Sequence, residues 1–280
     1  MNKAILVIGE ISLNIGPIHD SRIYFCPDPR DINLYSKDEK LYFYSENGWI
    51  VIDLVLWRCQ FDKDLLSEQR ILEIILQTDV TCINNALSCL LYCHNALMNY
   101  AISEINLPAI NKTCLFGPDA PYMGDFDHSL KVLKVGEYHG GYGKALIDSE
   151  IKYIDTLDIA TRMRESISLE DYIPYKKDIR ILYIDQVVSV YERIPSIWKA
   201  NVNPKAIQLI DVSCIPDYLI EGTIALASKT HSDIIGVDWI LSNDGNWFIL
   251  EGNLSPGIVN PADLKHLTTL IEKRLFSKKK

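Results

Sequence analysis

The stretch from Gly236 to Gly257, GVDWILSNDGNWFILEGNLSPG, constrains the fold more than any other part of the chain. Two apolar runs, Val237–Leu241 and Trp247–Leu250, flank the polar tetrad Asn243-Asp244-Gly245-Asn246. An Asp-Gly pair between β-formers is a strong signal for a two-residue hairpin turn. With Asp244 and Gly245 as the turn, Asn243 pairs with Asn246, Ile240 with Ile249, and Asp238 with Glu251. Opposed residues of antiparallel strands hold their Cβ atoms about 4.5–5.5 Å apart. Asn253 lies two residues beyond Glu251 and so points to the same face. Three oxygen-bearing side chains therefore converge, and opposed carboxylates destabilise a sheet unless something offsets them. A hard cation such as Mg²⁺ does so and still leaves room for phosphate oxygens. A bulged turn would shift the register by one residue and break the pairing.

At 280 residues the chain can fill one large domain or two to three smaller lobes. Its net charge of −9 argues against a general nucleic-acid or membrane-surface binder, and no apolar run approaches the ~20 residues that span a bilayer. Seven cysteines, an odd number, without a secretory signal point to reduced thiols and a cytoplasmic protein. Cys89, Cys93 and His94 lack a fourth ligand at zinc spacing and read as core residues.

Along the chain, Ala4–Ile11 reads as a strand and the next thirty or so residues as irregular, with Pro17, Pro27 and Pro29. Leu41–Tyr44 and Trp49–Trp57 are further strands. Glu68–Gln77 has helical apolar spacing, Val80–Ile83 is a short strand, and Leu87–Ile105 a second helix. This alternation predicts a small open α/β lobe over residues 1–106. Leu107–Asp127, with three prolines, reads as a linker into a central lobe, 107–168. There Leu130–Val135 and Ala145–Ile147 are strands around the glycine-rich run Gly136–Gly143, whose amides can close on a phosphate while lysines add charge. Asp158–Ser168 reads as helical. A C-terminal lobe, 169–280, then holds a hairpin over Asp178–Tyr191 with its turn at Asp185-Gln186, a helix over Ile215–Lys229, the final hairpin, and an amphipathic helix over Pro261–Phe276.

These segments together resemble the ATP-grasp superfamily, in wording closest to the ribosomal-protein glutamate ligases and synapsin. The resemblance rests on Asp238, the Glu-x-Asn of Glu251 and Asn253, and Pro256-Gly257. It continues in the strand Lys134 before the flap glycines Gly140, Gly141 and Gly143 with Lys144, in DLVLWR ending at Arg58, in Asn84, and in Leu107-Pro108. It implies an α/β (α+β) fold in which two lobes sandwich ATP. It further implies an adenine hinge at Glu170, Asp171, Tyr172 and Ile173, an Asp-x-Arg at Asp178 and Arg180, and Arg193, Lys199 and Asn201 on the phosphates and the reacting carboxylate. Asp238, Glu251 and Asn253 would hold Mg²⁺, with Mn²⁺ an alternative.

Two positions depart from the resembled pattern. His94-Asn95 replaces an Asp-Lys whose lysine contacts phosphate, so either the pocket lacks a cation or Lys112 or Lys144 stands in. Pro204-Lys205 replaces glycines after the asparagine. The reading that follows is an ATP- and Mg²⁺-dependent carboxylate–amine ligase acting through an acyl phosphate on small-molecule or peptide substrates. It expects neither nucleic acid nor membrane as a partner and leaves homo-oligomerisation open. The alternatives are a synapsin-like ATP-binding module without ligase activity and a grasp-fold kinase.

Overall fold

Asp53 divides what reads as one strand into two with different tasks. In the computed structural model, residues 2–9, 15–59, 65–93, 95–115, 129–136, 142–163, 166–195, 198–199 and 204–277 are described. The first of these segments hold β1 (Lys3–Gly9), β2 (Ser21–Cys26), β3 (Leu34–Lys37), β4 (Lys40–Ser45), β5 (Gly48–Ile52) and β6 (Leu54–Arg58). Strands β3, β4 and β5 form an antiparallel meander, and β5 alternates between covered and exposed positions, as a one-sided strand does. Strand β6 is buried at every position and lies parallel to β1, as expected of a strand covered on both faces. Between them the Asp53 carboxylate accepts from Lys3 Nζ at 2.7 Å and from the Ala4 amide at 2.8 Å. The expected single strand over Trp49–Trp57 is thus two.

Helix α1 (Leu65–Leu76) carries the chain from β6 to β7 (Thr81–Ile83), giving a parallel sheet in the order β2-β1-β6-β7. Strand β2 corrects the expectation of an irregular stretch. The β-formers Ile23-Tyr24-Phe25 are short and flanked by prolines, so only pairing with β1 reveals them. The expected helix over Leu87–Ile105 is two helices, α2 (Ala86–Tyr92) and α3 (Asn95–Glu104). Asn85 caps α2, accepting from the Leu87 and Ser88 amides.

The central sheet contains β8 (Lys112–Leu115), β9 (Lys131–Val135), β10 (Lys144–Ile147) and, after α4 (Glu150–Met163), β11 (Ile167–Asp171), in the order β10-β9-β11-β8. Two expectations change here. Part of the presumed linker is β8, with 116–128 outside the described residues. The helix begins eight residues before Asp158 and ends at Met163, burying Tyr153 and Ala160 on one face, while Ile167 and Ser168, expected in the helix, are captured by pairing with β8 and β9. Because β11 pairs inside this sheet, we propose that the central lobe ends after Asp171, not before Leu169.

The third sheet is antiparallel, built from β12 (Tyr175–Ile184), β13 (Val187–Ile194), β14 (Ala206–Ile210), and, after α5 (Asp217–Lys229), β15 (Ile234–Ser242) and β16 (Trp247–Asn253). Asp185 and Gln186, both at positive φ, make the expected β12–β13 turn. Helix α5 packs behind the final hairpin. Gly222 permits this, since a Cβ there would lie 2.3 Å from Leu107 and 3.3 Å from Trp239. Helix α6 (Pro261–Phe276) has the expected bounds, and its Leu267, Leu270 and Ile271 join residues of the first and third sheets in one core.

Asn84 binds these two sheets at the polar level. Its amide nitrogen donates to the Ile234 carbonyl at 2.6 Å and the Leu254 carbonyl at 2.7 Å, and its oxygen accepts from the Ile234 amide at 2.7 Å. Replacing it by alanine strands three buried backbone groups, and Asn84→Ala should cost about 3 kcal/mol of stability in urea unfolding with an unchanged slope. A loss below about 1 kcal/mol would show that the bridge contributes little.

Candidate active site

The final hairpin reaches the expected pairing by an unexpected route. Its loop is longer than two residues. The Ser242 amide donates to the Asn246 carbonyl at 2.9 Å and the Gly245 amide to the Ser242 carbonyl at 3.1 Å, with Gly245 at φ 97°. The extra loop residue shifts the outer register, so Ile240 faces Phe248 instead of Ile249. A β-bulge at Leu250 then adds one residue to β16 and restores the register, leaving Asp238 opposite Glu251 and Gly236 opposite Asn253. Two one-residue errors cancel where the carboxylates stand.

Strand pairing sets Arg180, Asp238 and Glu251 side by side on β12, β15 and β16. Arg180 grips Asp238 with both ends of its fork, Nε to Oδ1 at 2.7 Å and Nη2 to Oδ2 at 2.8 Å. Arg193, opposite Asp178 on β13, donates from Nε to Asp178 at 2.5 Å and from Nη1 to Asp238 at 3.1 Å. Burial pushes the Asp178 carboxyl up to about 6 against the pull of Arg193. Burial would raise Asp238 too, but Arg180 and Arg193 hold it below its usual value. The Asn253 carboxamide oxygen accepts from the Ser255 amide at 2.8 Å.

The central sheet brings the lysines. Lys134 Nζ, 7% exposed, lies 2.7 Å from Glu170 and 3.6 Å from Glu251, yet it makes no hydrogen bond of good geometry. Lys112 approaches the same Glu170 oxygen at 3.1 Å. Lys144 contacts Glu251 at 3.3 Å, and Lys199 donates to the Lys144 carbonyl at 2.7 Å. Burial would raise the Glu251 carboxyl, but Lys144, Lys134 and Lys112 hold it well below the usual carboxylate range. Burial and Lys144 push the Lys199 ammonium down.

Between the sheets lies a narrow cleft that opens to solvent. Of the expected site residues, Lys134, Lys144, Glu170, Asp171, Tyr172, Ile173, Asp178, Arg193 and Lys199 line it. Arg180, Asp238, Glu251 and Asn253 stand at its hairpin side. Gly143 precedes Lys144 at positive φ. Gly140, Gly141 and Asn201 lie outside the described residues, as does His94. Asp171 does not face the cleft alone, because Lys131 holds it at 2.7 Å. Sequence reasoning missed the apolar walls, Ile110, Val132, Ile240 and Leu250, with Tyr175 and Trp198. Single apolar strand residues carry no signal for which face becomes a pocket. Around the cleft seven described cations (Lys112, Lys131, Lys134, Lys144, Lys199, Arg180, Arg193) meet five carboxylates (Glu170, Asp171, Asp178, Asp238, Glu251). The site is therefore locally positive in a chain of net charge −9, which suits a polyanion.

The profile of the family described as Synapsin, ATP binding domain matches residues 92–260, more than half of the chain. The chain belongs to the synapsin ATP-binding domain family. Solved structures agree on the fold. D-alanyl-alanine synthetase A from Vibrio cholerae O1 biovar eltor is similar with TM-score 0.71 and 12% identity, covering 98% of each chain. The ATP-grasp ligase PsnB, complexed with a phosphomimetic variant of its minimal precursor, Mg and ADP, gives TM-score 0.70 and 13% identity over 98% of this chain and 99% of that one. The macrocyclase MdnC from Microcystis aeruginosa MRC, bound with precursor peptide MdnA, gives 0.68 and 12% over 99% and 100%. This synapsin-family chain therefore has the ATP-grasp fold throughout its length.

Within this member of the family Glu170 pairs with both Lys112 and Lys134. Glu170→Gln should cost about 3 kcal/mol in urea unfolding, because removing one partner leaves buried charge uncompensated. An unchanged midpoint would mean that Lys112 and Lys134 are neutralised elsewhere.

Proposed function

We propose that the protein is an ATP-dependent carboxylate–amine ligase, with a peptide or small-molecule carboxylate as acceptor of the γ-phosphate. The observation that carries this reading is the meeting of Lys134, Lys144, Arg193 and Lys199 with the opposed Asp238 and Glu251 in one cleft between two sheets. Phosphoryl transfer needs cations fixed where charge builds on the phosphate oxygens. The Lys134 ammonium carries three donors, so beside its contacts with Glu170 and Glu251 it keeps one to give to phosphate. The precursor peptides bound by PsnB and MdnC support a peptide substrate.

A divalent ion fits the donor set. Asp238, Glu251 and Asn253 are hard oxygen ligands of the kind Mg²⁺ takes. Asp238 accepts three hydrogen bonds from two arginines and, with about four lone-pair sites on a carboxylate, keeps one in hand. When bound, the ion would neutralise charge on the nucleotide's terminal phosphates.

The chain's own residues do the rest. Ile173, Tyr172 and the apolar walls receive the adenine, with Glu170 behind them. Lys134 and Lys144 bind the phosphates, and Arg180 holds Asp238 in its rotamer. A substrate carboxylate oxygen attacks the γ-phosphorus and ADP leaves. The acyl phosphate then loses phosphate to an amine, giving an amide. Arg193 and Lys199 face the charge that develops, and Lys199, its ammonium pushed down by burial and by Lys144, lies 5.0 Å over the Trp198 ring. Asn201 belongs to this reading as a group that orients the acceptor or the phosphate, and the flap glycines Gly140 and Gly141 as the cover that keeps water from the acyl phosphate. Free cysteines at all seven positions support a cytoplasmic setting. Among the described residues no helix is long and apolar enough to cross a membrane.

A second reading, a nucleotide-responsive module without turnover, is favoured by the synapsin match and by the two arginines that engage Asp238. Incubation with ATP, Mg²⁺ and a panel of amino acids and peptides separates them. The ligase yields ADP and phosphate in equal amounts only when carboxylate and amine are both present. ATP binding without turnover on any substrate would favour the module, and a phosphorylated product without an amide a kinase. Glu251→Gln should lower Mg²⁺-dependent turnover by at least the ~100-fold that losing a group hydrogen-bonded to a metal ligand costs, with the fold kept by circular dichroism. Unchanged turnover would remove Glu251 from the site.

A further inference from the structure

The bulge at Leu250 is what sets Glu251 opposite Asp238, so whatever holds the bulge governs the site. Continuing the outer register of the hairpin would place Leu250 opposite Asp238 and turn Glu251 to the other face. A bulged residue leaves the ladder, and its backbone polar groups must find partners elsewhere. Here the Leu250 carbonyl accepts from Lys112 Nζ at 2.5 Å. The neighbouring peptide is gripped by the same segment. The Ile249 amide donates to the Pro108 carbonyl at 2.8 Å, and the Ile110 amide donates to the Ile249 carbonyl at 3.3 Å.

Lys112 differs from the other lysines of the site. It is as buried as Lys134, but it is not among the residues lining the cleft, where Lys134, Lys144 and Lys199 are. Its ammonium joins the bulged peptide of the C-terminal sheet to Glu170, the buried acid of the central sheet. A neutral side chain at this position would leave the Leu250 carbonyl without its donor and Glu170 with Lys134 alone.

We propose that Lys112 is a positioning residue: it holds the Leu250 peptide in the bulge and thereby presents Glu251 to the metal beside Asp238. This rests on the reading of Glu251 as a metal ligand. It also assigns Lys112 a task other than binding phosphate directly.

The test is a double-mutant cycle read by calorimetric titration of ADP with and without Mg²⁺, using Lys112→Met, Glu251→Gln and the pair. Lys112→Met should weaken the Mg²⁺-dependent part of ADP affinity about tenfold or more, the loss seen when a group supporting a metal ligand is removed. ADP affinity without metal should stay within about threefold. The pair should be no worse than Glu251→Gln alone, since Lys112 acts through Glu251, and Lys112→Arg, which keeps charge and donors, should restore the metal dependence. Losses that add, or a Lys112→Met loss as large without metal as with it, would overturn the proposal, the latter marking Lys112 as a phosphate ligand. Wild-type metal dependence that vanishes in Glu251→Gln but survives in Lys112→Met would overturn it while leaving the site reading intact. Wild-type ADP binding indifferent to Mg²⁺ would overturn both. Should Lys112→Met fail to fold, Lys112→Gln, too short to reach the Leu250 carbonyl, runs the same cycle with the same outcomes.

Discussion

Carboxylates buried between two sheets persist only where cations meet them, and this requirement ties the lobes together. Glu170 on β11 holds two lysines from β8 and β9, and one of those also faces Glu251 on β16. Asp178 and Asp238 share Arg193 across β12, β13 and β15. An isolated buried charge costs several kcal/mol, and removing one partner exposes that cost in full. The network is therefore more informative about what the cleft is for than about stability. A purely structural junction would be filled with apolar side chains, which pack as well without desolvating ions.

Much of this was readable from residue order, and the failures have physical causes. The pairing of Asp238 with Glu251 follows from counting back from the Asp-Gly turn, although the turn itself has one residue more. The count survives because the Leu250 bulge adds the missing step on the partner strand. A bulge has no reliable signature in a run such as Trp-Phe-Ile-Leu, because what selects it is a lysine more than a hundred residues earlier in the chain. Helix α6 was legible to the residue, with Asn260 and Pro261 at its start and an apolar spacing that nothing interrupts. Strands β2 and β11 were not, because each is short and gains its conformation from neighbours far along the sequence. Lys112 was noted as a substitute for a missing helix lysine, yet only the structure places its ammonium on a backbone carbonyl.

The family match and the fold bear on function unequally. Membership of the synapsin ATP-binding domain family is compatible with a protein that binds nucleotide and does nothing further. The structural relatives named above include enzymes, but at 12–13% identity they speak for the fold. The residues of the site favour the ligase we propose. Arg193, Lys199 and the Asp238–Glu251 pair are more than nucleotide retention requires, since adenine and ribose recognition carries no need for cations beyond the phosphates. Set against a chain of net charge −9, their concentration at one cleft is what the proposed ligase reading rests on.

The central claim is that a compensated hairpin delivers Glu251 to Asp238 beside the lysines of the central sheet. A crystal structure with Mg²⁺ and a non-hydrolysable ATP analogue tests it most directly. The account predicts the ion between Asp238 and Glu251, the terminal phosphates on Lys134 and Lys144, and the Leu250 bulge retained with Lys112 on its carbonyl. Nucleotide bound outside this cleft, or a metal held without Glu251, would contradict it.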